Sequence, residues 1–220
     1  MEDLEVTNKT ILITGGLGSF DSWLAHRFCT LDYDVTVLTR RNLKLEFDLP
    51  FKTITCDISS LESCQSAITS SYDIIIHMAS MSDNFVEIHA EDALSVNALG
   101  TRNILETIKT MHPKRFICLS TVNVCGNHTG ERSEQSDLNP NNYYGLAHLF
   151  AEYYVKQFHT NRQIPYVIIR LSNSYGYPRG HDSSKWCLIL NDLSKSAFKD
   201  KNIELNRNGL TTRDFIWMGK

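Results

Sequence analysis

The sequence predicts a doubly wound α/β fold, a parallel sheet with helices on both faces. Three observations carry the prediction. Short apolar runs alternate with helix-like stretches through the first 170 residues. These runs are rich in β-branched residues and do not alternate apolar with polar, the mark of strands covered on both faces. The first run also ends in a glycine turn, Thr14-Gly15-Gly16-Leu17-Gly18, just before a helix-like stretch.

The strands are expected at Thr10–Thr14, Asp34–Thr39, Lys52–Cys56, Asp73–His77, Arg115–Leu119 and Tyr166–Arg170. Between them, apolar residues recur at helical spacing. Ser22–Leu31 carries Trp23, Leu24, Phe28 and Leu31, and Ser60–Thr69 is a shorter candidate. Asp92–Met111 carries Leu94, Leu99, Ile104, Leu105 and Ile108, with Pro113 just beyond its end, and Tyr143–Phe158 is the last of this series. After Arg170 the pattern loosens. Residues 172–184 are rich in Ser, Gly, Asn and Pro and read as a loop. A helix over 186–198 and short strands at 203–205 and 214–217 complete the reading. The pattern thus divides the chain into a regular α/β part over 1–170 and a looser region over 171–220.

A length of 220 residues suits one sizeable domain, and 42% hydrophobic with 21% charged residues argues against disorder. The net charge of -3 gives no electrostatic footprint for nucleic acid or an anionic membrane, and neither is expected as a partner. The start, Met1 to Val6, is acidic and unlike a signal peptide, and no apolar run nears the ~20 residues of a membrane helix. A cytoplasmic location is expected. Six scattered cysteines, Cys29, Cys56, Cys64, Cys118, Cys125 and Cys187, form no C-x-x-C pair; they read as free thiols, with no metal site.

The glycine turn carries the first chemistry. Backbone N–H groups there, with the dipole of the following helix, suit a pyrophosphate. Gly15 takes the tight turn and Gly18 lets a ligand approach. A third glycine is expected three residues later, where Asp21 stands, adding a charge that opposes bound phosphates. The second strand ends at Thr39-Arg40-Arg41, without the acid that usually bonds the ribose of NAD. Arginine pairs with a 2′-phosphate, so NADP is mildly favoured over NAD; a solvated basic turn explains the pair equally well.

The second chemistry lies later. One strand runs into Leu119-Ser120-Thr121-Val122-Asn123-Val124-Cys125-Gly126, and the next helix opens Asn142-Tyr143-Tyr144-Gly145-Leu146-Ala147-His148. Tyr144 and His148 are four apart and share a helix face. A hydroxyl at a strand end and a tyrosine on the adjacent helix can converge on one substrate carbon.

These segments resemble the NAD-dependent epimerase/dehydratase family, the extended short-chain dehydrogenase/reductases of Rossmann type. The likeness runs in order through T-G-G-L-G-S-F at 14–20, Asp57, I-I-I-H-M-A-S at 74–80, V-N-A-L-G-T-R-N-I-L-E at 96–106 and R-F-I-C-L-S-T-V-N-V-C-G at 115–126. It continues through Y-Y-G-L-A-H-L-F-A-E at 143–152, I-R-L-S-N-S-Y-G-Y-P-R at 169–179 and R-D-F-I-W at 213–217. The resemblance implies roles by position: Thr121 and Tyr144 as catalytic residues, with His148 where the family has its lysine. For the dinucleotide, NAD or NADP, it implies Gly15, Gly18, Ser19, Phe20, Arg40, Asp57, Ile58, Ala79 and Asn97. For a nucleotide-sugar substrate it implies Asn173 and Arg213. The family's lysine lowers the tyrosine pKa by its fixed charge. A histidine, shorter and mostly neutral at pH 7, replaces that effect only with a raised pKa or with help from the oxidised nicotinamide's charge.

Three readings follow. The first is an NAD(P)-dependent nucleotide-sugar epimerase or dehydratase acting by transient hydride transfer. The second is a catalytically impaired relative that binds a dinucleotide or a protein, favoured by Asp21 and His148. The third is an NADP-dependent carbonyl reductase, favoured by Arg40 and Arg41. Family members continue past the R-D-F-I segment, so the resemblance implies a dinucleotide-binding domain over 1–170 and a partial substrate-binding region over 171–220, with the rest of that region expected to be missing. A homodimer through the helices containing Leu99–Ile108 and Tyr144–Phe158 is expected by analogy.

Overall fold

Ile11, Leu12 and Ile13 are all fully buried on the first strand, which explains why the apolar runs show no alternation. Ile11 and Ile13 pack with Ala25, Val35, Val37 and Ile76 on one face of the sheet. Leu12 packs with Ile75, Ile104, Ile108 and Val155 on the other. A strand with a core on each side has no face to spare for polar residues.

The structure is a computed structural model describing residues 9–15, 19–40, 49–81, 89–127, 130–177, 186, 188–203 and 212–218, with residues 19–21 described by their backbone alone. Six parallel strands form one sheet: β1 (Thr10–Thr14), β2 (Asp34–Thr39), β3 (Lys52–Thr55), β4 (Ile74–His77), β5 (Arg115–Thr121) and β6 (Tyr166–Leu171). Their order, β3-β2-β1-β4-β5-β6, reverses direction at β1, so the ends of β1 and β4 open on a crevice. This is the Rossmann-type arrangement expected from the sequence.

The helices are α1 (Ser19–Cys29), α2 (Leu61–Ala67), α3 (Ala90–Ala93), α4 (Gly100–Ile108), α5 (Tyr143–Arg162) and α6 (Ile189–Lys199). Between α3 and α4 the chain makes a π-helical stretch, Leu94–Leu99, so the single helix expected over 92–111 carries a wide turn at its start. Helix α5 is capped by Asn142, whose side chain accepts from the Gly145 N–H at 2.7 Å, and ends at Gln163 in the left-handed conformation. It runs four residues past the expected end at Phe158, because nothing in 159–162 breaks a helix.

Four expectations need correction. The strands are not all covered on both faces: β3 is largely exposed, and β6 exposes Val167 and Ile169, because both are edges of the sheet. Residues 173–175, read as loop from their polar composition, form β7 (Asn173–Tyr175), which pairs in parallel with β8 (Phe215–Trp217). Its partner lies 42 residues further along the chain, Asn173 opposite Phe215, so no local pattern announces it. The helix expected from Trp186 starts at Ile189 instead, and Ile203 lies in no strand; Glu204 and Leu205 lie outside the described residues. No helix among the described residues is long and apolar enough to cross a membrane.

Candidate active site

The crevice begins at Gly15. Its φ of +100° lies where side-chain-bearing residues are strained, and a Cβ there would stand 2.7 Å from the Ala79 nitrogen. The turn therefore passes directly against the end of β4, and Gly15 N–H donates to Leu38 O at 3.1 Å. Only glycine lets three strand ends meet so closely. Gly18 lies outside the described residues, as do the side chains of Ser19, Phe20 and Asp21; the backbone of Ser19 opens α1.

Beneath this turn lies a buried polar network that the sequence reading missed. Thr14 Oγ1 lies 2.7 Å from His77 Nδ1, and His77 Nε2 lies 2.9 Å from Thr101 Oγ1. Thr101 spends its single hydroxyl hydrogen on Asn97 O, at 2.6 Å. The network thus assigns the proton to Nε2 of His77, which donates to Thr101, while Nδ1 accepts from Thr14. Thr14 Oγ1 then accepts from the Met78 and Ala79 N–H groups, at 3.2 and 3.3 Å. Burial holds His77 neutral, down at about 3, and the nearby His148 adds to the shift. The available signal was a histidine ending an all-isoleucine strand, a polar residue in a core position.

Asn97 sits in the wide turn and is buried; its Oδ1 accepts from Met81 N–H at 2.7 Å. It fixes the chain leaving β4, the segment that contains Ala79. On the other side of β1, Asp57 is exposed and its Oδ1 accepts from the Ser59 N–H and hydroxyl, at 3.0 and 2.7 Å. Ile58 is buried and packs on Gly100, where a Cβ would meet its side chain at 2.7 Å. Arg40 is exposed immediately after β2. These positions ring the C-terminal edge of the sheet.

Thr121 ends β5, and its Oγ1 accepts from Asn123 N–H at 3.2 Å, capping the 3₁₀ turn Val122–Cys125. Gly145 seats α5 on that turn: a Cβ there would come within 2.5 Å of Asn123 O. The close approach brings the Tyr144 end of α5 to the end of β5. The rings of Tyr144 and His148 meet edge to face with centroids 4.6 Å apart.

His148 is buried, and its Nε2 has no hydrogen-bond partner among the described residues. Burial lowers its pKa to about 4, while the charge of Glu152 pushes upward without prevailing. The raised pKa that would let it replace a lysine is therefore not found; desolvation of the imidazolium outweighs one carboxylate already committed elsewhere.

That carboxylate is a second feature the sequence reading missed. Glu152 is fully buried, one turn past His148. Arg170, from β6, grips it with two bonds of 2.8 and 3.0 Å, and Ser120 donates to it at 2.6 Å. Burial opposes its ionisation, but Arg170 and Ser120 outweigh that and hold it below the usual carboxylate range. The signal was an arginine at the end of an apolar strand and an acid on the Tyr144–His148 face.

Asn173 and Arg213, forty residues apart, meet across β7 and β8, with Arg213 Nη1 3.4 Å from Asn173 Oδ1. Asn173 Nδ2 also donates to Asp214 O at 3.0 Å. No group of three metal-ligating side chains occurs among the described residues.

The arrangement fits a dinucleotide. Gly15 at the crossover point, the N-terminus of α1 beyond it and the buried imidazole nitrogen beside Tyr144, unpartnered among the described residues, are groups that a bound dinucleotide would satisfy.

A model of the NAD dependent epimerase/dehydratase family matches residues 11–219. The chain is 27% identical to a putative UDP-glucose 4-epimerase of Methanocaldococcus jannaschii, over 95% of this chain and 70% of that protein. It is 28% identical to the dTDP-D-glucose 4,6-dehydratase of Dictyostelium discoideum, over 96% of this chain but 53% of the relative. Among solved structures, the UDP-glucose 4-epimerase of Thermotoga maritima with UDP-glucose superposes with a TM-score of 0.83 at 18% identity, over 95% of this chain and 69% of that one. A UDP-glucuronic acid 4-epimerase variant of Bacillus cereus, in complex with a fluorinated UDP-sugar and NAD, gives 0.78 at 25% identity, over 95% and 69%.

Proposed function

The chain belongs to the NAD-dependent epimerase/dehydratase family, and from that premise we propose that it binds NAD(P) and oxidises a carbon of a nucleoside-diphosphate sugar, as an epimerase or dehydratase. The carrying observation is the buried His148 Nε2, without a hydrogen-bond partner among the described residues, beside the Tyr144 ring at the junction of β5 and α5.

Gly15, Gly18, Ser19 and Phe20 would hold the pyrophosphate, Asp57 and Ile58 the adenosine end, and Ala79 and Asn97 the chain that borders the nicotinamide. Relatives whose structures contain NAD support that cofactor, while the exposed Arg40 supports a 2′-phosphate. When bound, the oxidised nicotinamide supplies a hydride acceptor for the sugar carbon. Tyr144 removes the proton from the sugar hydroxyl, and Thr121 hydrogen-bonds the same oxygen. His148 Nε2 offers the ligand one hydrogen bond but, being neutral, no fixed charge. Asn173 and Arg213 would meet the nucleotide sugar. Exposed Leu94, Leu99, Phe150 and Tyr153 on the wide turn and α5 support a homodimer through those elements. The five described cysteines, all free, support a cytoplasmic setting.

Purified protein should enhance the fluorescence of NADH or NADPH and turn over a UDP- or dTDP-hexose. Tyr144→Phe should lose at least a hundredfold in kcat, and His148→Lys should raise kcat near pH 7. Absence of reduced-cofactor binding at millimolar concentration would defeat the proposal. The neutral His148 specifically favours one second reading, a dinucleotide-binding relative without turnover. Cofactor binding with no activity even in His148→Lys would select it. A carbonyl reductase would instead consume NADPH with simple ketones.

A further inference from the structure

Two buried thiols, unused by the proposed chemistry, face each other beside the turn assigned to the adenosine end. Cys56 follows β3 and Cys64 lies on α2; both are buried, with their sulfurs 4.0 Å apart. We propose that Cys56 and Cys64 are an oxidation site, closing to a reversible disulfide that reshapes the Asp57–Ile58 turn and weakens dinucleotide binding.

The geometry needs little movement. A disulfide holds its sulfurs ~2.05 Å apart, so each must move by about an ångström, within reach of side-chain torsions and a small shift of the short helix. The two residues differ in reactivity. Hydrogen bonding with Cys64 brings Cys56 down to about 7, burial opposes the shift, and the Ser63 hydroxyl, 3.8 Å from Cys56 Sγ, assists it. Cys64 is pushed up by the same contact and by burial. Cys56 is therefore the attacking thiolate and Cys64 the resolving thiol.

The oxidant is a hydroperoxide. The Cys56 thiolate attacks one peroxide oxygen of hydrogen peroxide, the O–O bond breaks, and hydroxide leaves and takes a proton to become water. Cys64 then attacks the sulfenic sulfur, losing its proton, and the sulfenic oxygen departs as a second water. Two thiols and one peroxide become one disulfide and two waters. Access is through a thin cover: α2 has seven residues, Ser60, Glu62, Gln65 and Ser66 are exposed, and β3 is an exposed edge strand, so local opening there is cheap.

The turn between the two cysteines is stitched to its surroundings. Cys64 Sγ lies 3.7 Å from Ile58 O, and Asp57 N–H donates to Ser63 Oγ at 3.0 Å. Asn103 Nδ2 donates to Ile58 O and Ser59 O, at 2.9 and 3.1 Å. Drawing Cys64 to Cys56 removes the first of these contacts and pulls on the others, moving the residues assigned to the adenosine. The consequence for binding rests on the proposed dinucleotide site; the disulfide does not.

The test treats the full chain with hydrogen peroxide, blocks remaining thiols with N-ethylmaleimide under denaturing conditions, and maps peptides by mass. A Cys56–Cys64 peptide should appear at least tenfold faster than oxidation of Cys118, and dithiothreitol should reverse it. Cys64→Ser should leave a Cys56 sulfenic acid that dimedone captures. Fluorescence titration with NADH and NADPH should show at least fivefold weaker binding in the oxidised form, with Cys56→Ser unresponsive. Oxidation of the pair no faster than Cys118, or a disulfide that leaves binding by the same protein unchanged, overturns the proposal. If the reduced protein binds neither cofactor, the functional reading fails instead, and peptide mapping alone decides the thiol pair.

Discussion

Two buried histidines, His77 and His148, differ in what surrounds their ring nitrogens. At the end of β4 both nitrogens of His77 are engaged, and every hydroxyl it touches passes the network on to backbone. On α5, His148 is equally hidden but leaves Nε2 without a partner among the described residues. A buried polar atom left unpaired costs about 1–3 kcal/mol, so the first region has the character of scaffold and the second of a place prepared for something else to bind. Burial alone does not separate the two; completeness of hydrogen bonding does.

The largest expected effect tests the support behind His148. Glu152→Ala leaves Arg170 facing a void and should cost about 3–5 kcal/mol in urea unfolding; a loss below about 1 kcal/mol would mean that Arg170 simply turns to water. The same substitution at both histidines tests the comparison directly. His77→Phe strands Thr14 and Thr101 and should cost about 2–3 kcal/mol, whereas His148→Phe, which removes an orphan, should change stability by less than about 1 kcal/mol. Equal losses would erase the distinction.

Acid provides the next test. Folded His77 and His148 titrate at about 3 and about 4, below the ordinary 6.5. The unfolded chain therefore binds more protons between pH 6.5 and 4, and stability is full above that window and falls on acidification through it. By pH 5 the loss should be on the order of 1–2 kcal/mol per histidine, and His148→Phe should remove about half of the slope. The smallest effect is a surface control: the exposed pair of Lys52 and Asp34, 3.0 Å apart, should contribute under about 0.5 kcal/mol by double-mutant cycle.

Much of the fold was legible because its signals are local. β1 and β2 have the bounds read from the sequence, since a strand covered on both faces is rich in β-branched and apolar residues without alternation. The β7–β8 pair was not legible, because Asn173-Ser174-Tyr175 carries no strand pattern and depends on a distant partner. In the site, the order of motifs led to Thr121, Tyr144 and His148, which the fold brings to one junction. The charge state of His148 was not readable, because it depends on burial and on Arg170 competing for Glu152 from another strand. Gly18 and the side chain of Asp21 lie outside the described residues, so the effect of that acid on a phosphate is carried by the sequence alone.

The wide turn at Leu94–Leu99 has a consequence for how this helix tolerates change. A π turn holds one residue more than an α turn, and each residue advances a regular helix by about 100°. Deleting a single position there would restore ordinary winding and keep the segments on both sides in phase, so the change would fall on the turn itself. Asn97 would then lose its grip on Met81 while the sheet-facing residues Ile104 and Ile108 stayed where they are. The surplus residue widens one turn of the rod to aim Asn97 at the chain leaving β4, while the winding on either side keeps its own alignment.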